Sequence, residues 1–253
     1  TTDHLRSFTI DTVIMTRIAA IHALGDAWAM GAAPQAVTAN LILPRMSSQL
    51  QRRTMLEIMA VAQEVVTQAG ADIVGGHSSL GEELTIGFSI TGLCDAVPIS
   101  IAGAKAGDVL ILTKPIGSGV IMAAEMAGQA RGADVAAAFD WMVMGQAKAS
   151  DILSQAHAMT DVTGFGLAGH LSGICEASDV AATLDLDAVP FMAGAVALAQ
   201  TGLRSSLFED NRSGAGPVFG AQGAKGDLLF DPQTAGGLLA AVDARKADAL
   251  LAE

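Results

Sequence analysis

At 253 residues the chain exceeds the usual size of one compact domain, and two α/β domains of roughly 100 to 150 residues each are the arrangement its length favours. Hydrophobic residues make up 51% of it, mostly Ala, Val, Leu, Ile and Met with no Tyr and only two Trp, so a large aliphatic core is available. The balance of 14 basic against 26 acidic side chains, a net −12, argues against a nucleic-acid surface and leaves any polyanionic ligand dependent on metal ions as intermediaries.

Thr1-Thr2-Asp3-His4 carries no basic leader with an apolar stretch behind it, and Cys94 and Cys175 form no CxxC pair. Both features lead us to expect a reducing, cytoplasmic setting. The longest uncharged run, Ala27 to Pro44, is interrupted by Pro34, Gln35, Thr38 and Asn40 and is read as a turn entering a strand, not a membrane span. The abrupt start on a Thr-Thr-Asp motif suggests a segment upstream.

Along the chain, Asp11 followed by Val13, Ile14, Ile18, Ile21 and Leu24 predicts a capped helix over 12–29, ended by Gly31 and Pro34. A strand is expected over 36–43. Ser47 and Ser48 can cap a second helix that runs to about Gln68, with Gly70 ending it. A short strand at 71–74, a loop at 75–79 and a strand over 84–94 close an N-terminal unit near residue 95. The turn-rich stretch Ile101 to Asp108 leads into an apolar strand at 109–113, so we place a boundary between 96 and 107. The division is then 1–100, an ATP- and metal-binding dimerisation domain, and 101–253, an α/β domain. Helices are expected near 117–130, 134–156, 164–177 and 190–201, and strands near 181–186, 227–230 and 238–242. The stretch 202–226 is expected to be a long irregular loop. The alternation predicts α/β or α+β layering.

Three carboxylates stand out. Asp26 falls in the last turn of an apolar helix, where a negative charge opposes the helix dipole at about 0.3–1 kcal/mol. It could be offset by a cation, or by a hydrogen bond from His22 one turn earlier. Asp3 follows two threonines, and Asp161 precedes a glycine-rich turn, where it could equally be a helix N-cap. Three such oxygen donors from distant positions are what a Mg²⁺–polyphosphate site needs. The Gly75-Gly76-His77-Ser78 loop could bring backbone N–H groups against phosphates, or could be only a tight turn. No GxxxxGK[ST] and no strand-linked GxGxxG is present. Cys94 and Cys175 are read as small buried hydrophobes.

Taken together, Thr1-Thr2-Asp3, Arg17 to Gly31, Gly75 to Ser78, Met159-Thr-Asp-Val-Thr-Gly-Phe-Gly-Leu-Ala-Gly-His170 and Asp231-Pro-Gln-Thr-Ala-Gly-Gly237 resemble selenophosphate synthetase in order and spacing along essentially the whole chain. The last two runs distinguish that family from relatives sharing its fold. The resemblance implies a two-domain aminoimidazole ribonucleotide synthetase-like fold. Its N-terminal sheet domain would form a barrel with a mate in a homodimer, beside a larger C-terminal α/β domain. It implies ATP in the cleft between domains, Asp3, Asp26 and Asp161 holding Mg²⁺, and Gly75, Gly76, His77 and Ser78 near the nucleotide, with Thr2 beside Asp3. The implied reaction takes ATP, selenide and water to selenophosphate, AMP and orthophosphate. The family's nucleophilic Cys or selenocysteine, its partner Lys and a further acidic ligand would lie upstream of Thr1, so no catalytic nucleophile is assigned within these residues. The alternatives are another superfamily kinase or synthetase, such as a thiamine-monophosphate kinase, and a non-catalytic dimerising nucleotide-binding module fused to another enzyme.

Overall fold

The computed structural model describes residues 1–253. The first half comprises β1 (Thr2–Arg6), α1 (Thr12–Ala29), β2 (Ala33–Pro44), α2 (Ser48–Gln68), β3 (Asp72–Gly81) and β4 (Thr85–Leu93). Its sheet has the order β1-β4-β2-β3, with β1 and β2 antiparallel to β4 and β3 parallel to β2 through the α2 crossover. Within one chain this sheet is open and closes no barrel.

The second half comprises β5 (Asp108–Leu112), α3 (Ser118–Met126), α4 (Gly132–Met142), α5 (Ala147–Ile152), β6 (Ala158–Asp161), α6 (Gly166–Ser178), α7 (Ala195–Gln200), α8 (Phe208–Gly214), α9 (Gly223–Leu228), β7 (Leu238–Asp243) and α10 (Ala247–Leu251). Its sheet is antiparallel with the order β5-β7-β6, and the whole is a mixed α/β fold.

Local signals explain the two long helices. Asp11 accepts hydrogen bonds from the N–H groups of Val13 (2.9 Å) and Ile14 (3.0 Å), and Ser47 accepts from that of Leu50 (3.3 Å). Gly31 and Gly70, at φ 66° and 83°, end them in the left-handed region. Helix α1 is apolar nearly all round because it is buried nearly all round. It packs on the first sheet and α2, and also on Met142, Leu153, Met159 and Leu238 of the second half, so one core joins both sheets. A second core lies wholly in the C-terminal half, around Ile121, Val162, Leu167, Phe208 and Phe230.

Several expectations are corrected. Residues Gly75–Ser79 are not a loop but the middle of β3, because β2 provides a parallel template, pairing Ala39 with Gly76 and Asn40 with His77. A side chain at Gly76 would collide with the Ala39 carbonyl. The helix expected over 134–156 breaks into α4 and α5, where Gly145 packs against Trp28 and Ile21. Residues 181–186 find no strand partner, and 227–230 is the end of α9 and the turn that follows it. The stretch 202–226 holds α8 and α9 instead of remaining irregular, and β1 forms at the start, where no element was expected.

Phe88 lies at the centre of β4 with no exposure, beneath α1. We expect Phe88→Ala to destabilise the fold by about 3–5 kcal/mol, read from denaturant midpoints.

Candidate functional site

The site is assembled at the seam between the halves. Asp3 comes from β1, His22 and Asp26 from one face of α1 a turn apart, and Asp161 from the last residue of β6. Residue 25 of α1 is glycine, and a Cβ placed there would stand 3.1 Å from Asp161 Oδ2. The missing side chain lets the Asp161 carboxylate lie directly against α1 beside Asp26. Burial pushes the Asp161 carboxyl up to about 7, and the nearby charges of Asp26 and Asp3 push the same way. Asp3 is raised too, first by burial and then by Asp26, while His22 draws it down. The three carboxylates therefore share one electrostatic neighbourhood. They do not form a ready-made cage: no group of three or more His, Cys, Asp or Glu side chains is drawn together as metal ligands.

The basic groups around them offset that charge only in part: His22, His4 and the N-terminal ammonium draw Asp3 down, yet its net shift is upward. His22 Nδ1 accepts the Ala235 N–H (3.1 Å), which assigns the proton of the neutral ring to Nε2, 3.9 Å from Asp3 Oδ1. Burial holds the His22 imidazole below its ordinary range. His22 thus turns toward Asp3 and the 231–237 loop, not toward Asp26, whose carboxylate accepts from the Thr1 hydroxyl. Lys114 Nζ donates to the Ala235 carbonyl (2.9 Å), and burial pulls its ammonium down to about 7. His170 is likewise pulled down to about 4 by burial, and its Nε2 accepts the Thr163 N–H (3.0 Å).

Asp161 is not a helix N-cap: α6 begins five residues later, behind Phe165, which makes no side-chain cap bond. Thr2 Oγ1 donates to Ser89 Oγ (2.8 Å) on the sheet surface. Gly75 to Ser78 are not brought to the carboxylates. Asp3 pairs with Phe88, Phe88 with Ala39 and Ala39 with Gly76, three strand steps of the same sheet, or roughly 14 Å. Cys94 and Cys175 are half-buried, not fully enclosed, and burial raises the Cys175 thiol, which makes it a poor nucleophile.

Sequence reasoning gave no role to the groups that hold Asp161 in place. The 161–168 segment is laced to the 229–237 loop by Val162 N–H to Gly237 O (2.8 Å), Gln233 N–H to Thr163 O (2.9 Å) and Ala168 N–H to Leu229 O (2.8 Å). Gln233 Oε1 accepts from the N–H groups of Gly117 (2.8 Å) and Ser118 (3.1 Å), and Asp231 Oδ2 from that of Val120 (3.1 Å), so the loop caps α3. The available signal was the pattern itself: polar Asp231 and Gln233 in an otherwise apolar, glycine-rich run.

Residues 1–94 match the AIR synthase related protein N-terminal domain, and residues 105–253 the corresponding C-terminal domain. A selenide, water dikinase of Geobacter metallireducens is 38% identical over 257 residues, covering 99% of this chain and 74% of the relative. One of Aeromonas salmonicida is 36% identical, covering 100% of this chain and 74% of the relative. Among solved structures, thiamine-monophosphate kinase from Stenotrophomonas maltophilia superposes with a TM-score of 0.74 at 20% identity, over 100% of this chain and 76% of the other. Hydrogenase maturation protein HypE in complex with ATP gives 0.72 at 19%, over 100% and 70%. At such identities these structures speak for the fold alone.

Burial raises the Asp231 carboxyl to about 7 from 3.8, although hydrogen bonds from Val120 N–H and the Gln233 amide pull it down. A carboxyl that holds its proton more tightly when folded contributes stability that is complete below the ordinary carboxylate range and lost as pH rises through about 7. We expect Asp231→Asn to flatten this pH dependence. Denaturation at pH 5 and pH 8 should show wild type losing about 2.5 kcal/mol more than the variant over that interval.

Proposed function

The chain belongs to the AIR synthase related proteins and, within them, to the selenide, water dikinases, and from that premise we propose that its seam binds ATP through divalent cations for selenophosphate synthesis. The overall reaction converts ATP, selenide and water to selenophosphate, AMP and orthophosphate. The observation that carries the reading is the meeting of Asp161 with Asp26 across the bare Gly25, close to Asp3.

The donor set fits Mg²⁺. It is all carboxylate oxygen, it is partly buried, and its neighbour His22 is favoured in the neutral form by burial, so a hard divalent ion would offset both the burial and the mutual repulsion that raise Asp161 and Asp3. When bound, Mg²⁺ would neutralise the phosphates and withdraw charge from the transferring phosphoryl group. The chain's own residues align and confine. Asp3, Asp26 and Asp161 would hold the ions, the neutral His22 Nε2–H faces Asp3, and the laced loops keep Asp161 at the α1 surface.

A homodimer is part of this reading. Strand β3 is a ten-residue sheet edge with its side chains largely in solvent, including Val74 at 65% and Leu80 at 52% exposure. Such an edge is usually covered. A second copy would cover it, and would offer its own Gly75 to Ser78 row to a neighbouring nucleotide. A cytoplasmic location accords with two unpaired cysteines, and no helix is long and apolar enough to cross a membrane.

Calorimetric titration with ATP, with and without Mg²⁺, tests the metal assignment. Asp26→Ala and Asp161→Ala should each weaken Mg²⁺-dependent ATP binding at least about tenfold, or about 1.4 kcal/mol. Without Mg²⁺, Asp161→Ala should melt no lower than wild type, because the lost charge was repelled by its neighbours. Wild-type affinity in both variants would reject the assignment.

A further inference from the structure

We infer that Asn211 is a positioning residue that clamps together the two loops supporting Asp161; the inference rests on the ATP–cation reading for its effect on binding, but not for the clamp itself. Asn211 sits on α8, in the stretch where the sequence shows no motif, and is only 8% exposed. Both hydrogens of its side-chain amide are used: Nδ2 donates to the carbonyl of Gly164 (2.8 Å) and to that of Phe230 (3.0 Å). Gly164 is three residues beyond Asp161, and Phe230 immediately precedes Asp231, which caps α3.

The clamp restrains a segment that sterics leave free. Nothing lies within 4 Å of where a Gly164 Cβ would stand, so the hydrogen bond from Asn211 restrains that turn where packing does not. By contrast, Gly166 is pressed on the backbone of Leu229, Phe230 and Asp231, so the turn is fixed by packing at one end and by the amide at the other. Contacts other than the Asn211 amide anchor the clamp itself. Arg212 bonds Asp227 (2.9 Å) and lies 5.8 Å and 5.7 Å from the ring centroids of Phe208 and Phe230, and Arg204 bonds the same carboxylate. Helix α8 is thereby tied to α9 without the amide.

The chemistry singles out a carboxamide. A flat NH₂ with two diverging donors spans two carbonyls, whereas an ionised Asp offers only acceptors and would set four oxygens against one another. Ser, with one hydroxyl, can serve one carbonyl at most. Loss of the clamp should let the 162–166 turn wander and spread the direction of the Asp161 carboxylate, loosening the grip on cations and so on ATP.

Two readouts on the whole chain decide the matter: amide hydrogen exchange without ligand, and titration with ATP in the presence of Mg²⁺. In Asn211→Asp, the amides of Ala168 and Gln233, which lace the loops, should exchange at least about tenfold faster while Ile90 in β4 is unchanged, and ATP should bind at least about tenfold more weakly. Asn211→Ser should fall between, and serves in place of Asn211→Asp should that variant fail to fold. Val135→Ala, a core truncation in α4, controls for general destabilisation and should leave ATP affinity within about twofold. Unchanged exchange at Ala168 and Gln233 overturns the clamp. Unchanged ATP affinity in the Asn211 variants, or an equal loss in Val135→Ala, overturns the positioning role. If wild type itself binds no ATP with Mg²⁺, the proposed function fails, and the exchange comparison still decides whether Asn211 clamps the loops.

Discussion

One close approach underlies the rest of the site: the backbone of residues 161–168 lies against the backbone of residues 229–237. Side chains on Gly166 or Gly236 would drive into the facing main chain, at Phe230 and Val162 respectively. With hydrogen only in those places, the two segments exchange main-chain bonds and Asp161 is presented at the end of β6 instead of being carried on a mobile loop. The same loop ends α3 correctly, because Asp231 and Gln233 take up the N–H groups that a helix leaves without partners. Cap, lacing and carboxylate are joined in one hydrogen-bonded unit.

The carboxylate cluster that unit presents is electrostatically costly. Placing Asp3, Asp26 and Asp161 near one another at the seam of a chain with net charge −12 is unfavourable, first because Asp161 and Asp3 lose water on burial and then because the carboxylates repel, and both effects displace Asp161 and Asp3 upward. Basic groups nearby compensate only in part, because burial favours neutral His22 and draws Lys114 down to about 7, while His4 and the N-terminal ammonium leave Asp3 with a net upward shift. A fold optimised only for stability would replace such a cluster with apolar residues, and clusters of this kind are concentrated at functional sites.

The long helices and the central strands were legible because their causes are local. Asp11 and Ser47 cap α1 and α2, Gly31 and Gly70 end them, and alternation marks β2 and β4. The misreadings share one cause, tertiary pairing that overrides local preference. Glycines that look like a loop at 75–79 are drawn into β3 by β2, while the strand-like residues 181–186 remain without a partner. Asn211 could not be found by periodicity, since its role depends on two carbonyls, one 47 residues before it and one 19 after.

By itself the sequence determined the α/β class, the family, and the identity of three carboxylates suited to a hard cation, because motif, capping and composition are written in neighbouring residues. Only the tertiary structure decided that those carboxylates share one electrostatic neighbourhood, that His22 turns to Asp3 instead of Asp26, and that Gly75 to Ser78 lie three strands away. Those outcomes turn on distances between segments far apart along the chain, set by where bare glycine backbone permits close approach and by which buried donors find acceptors.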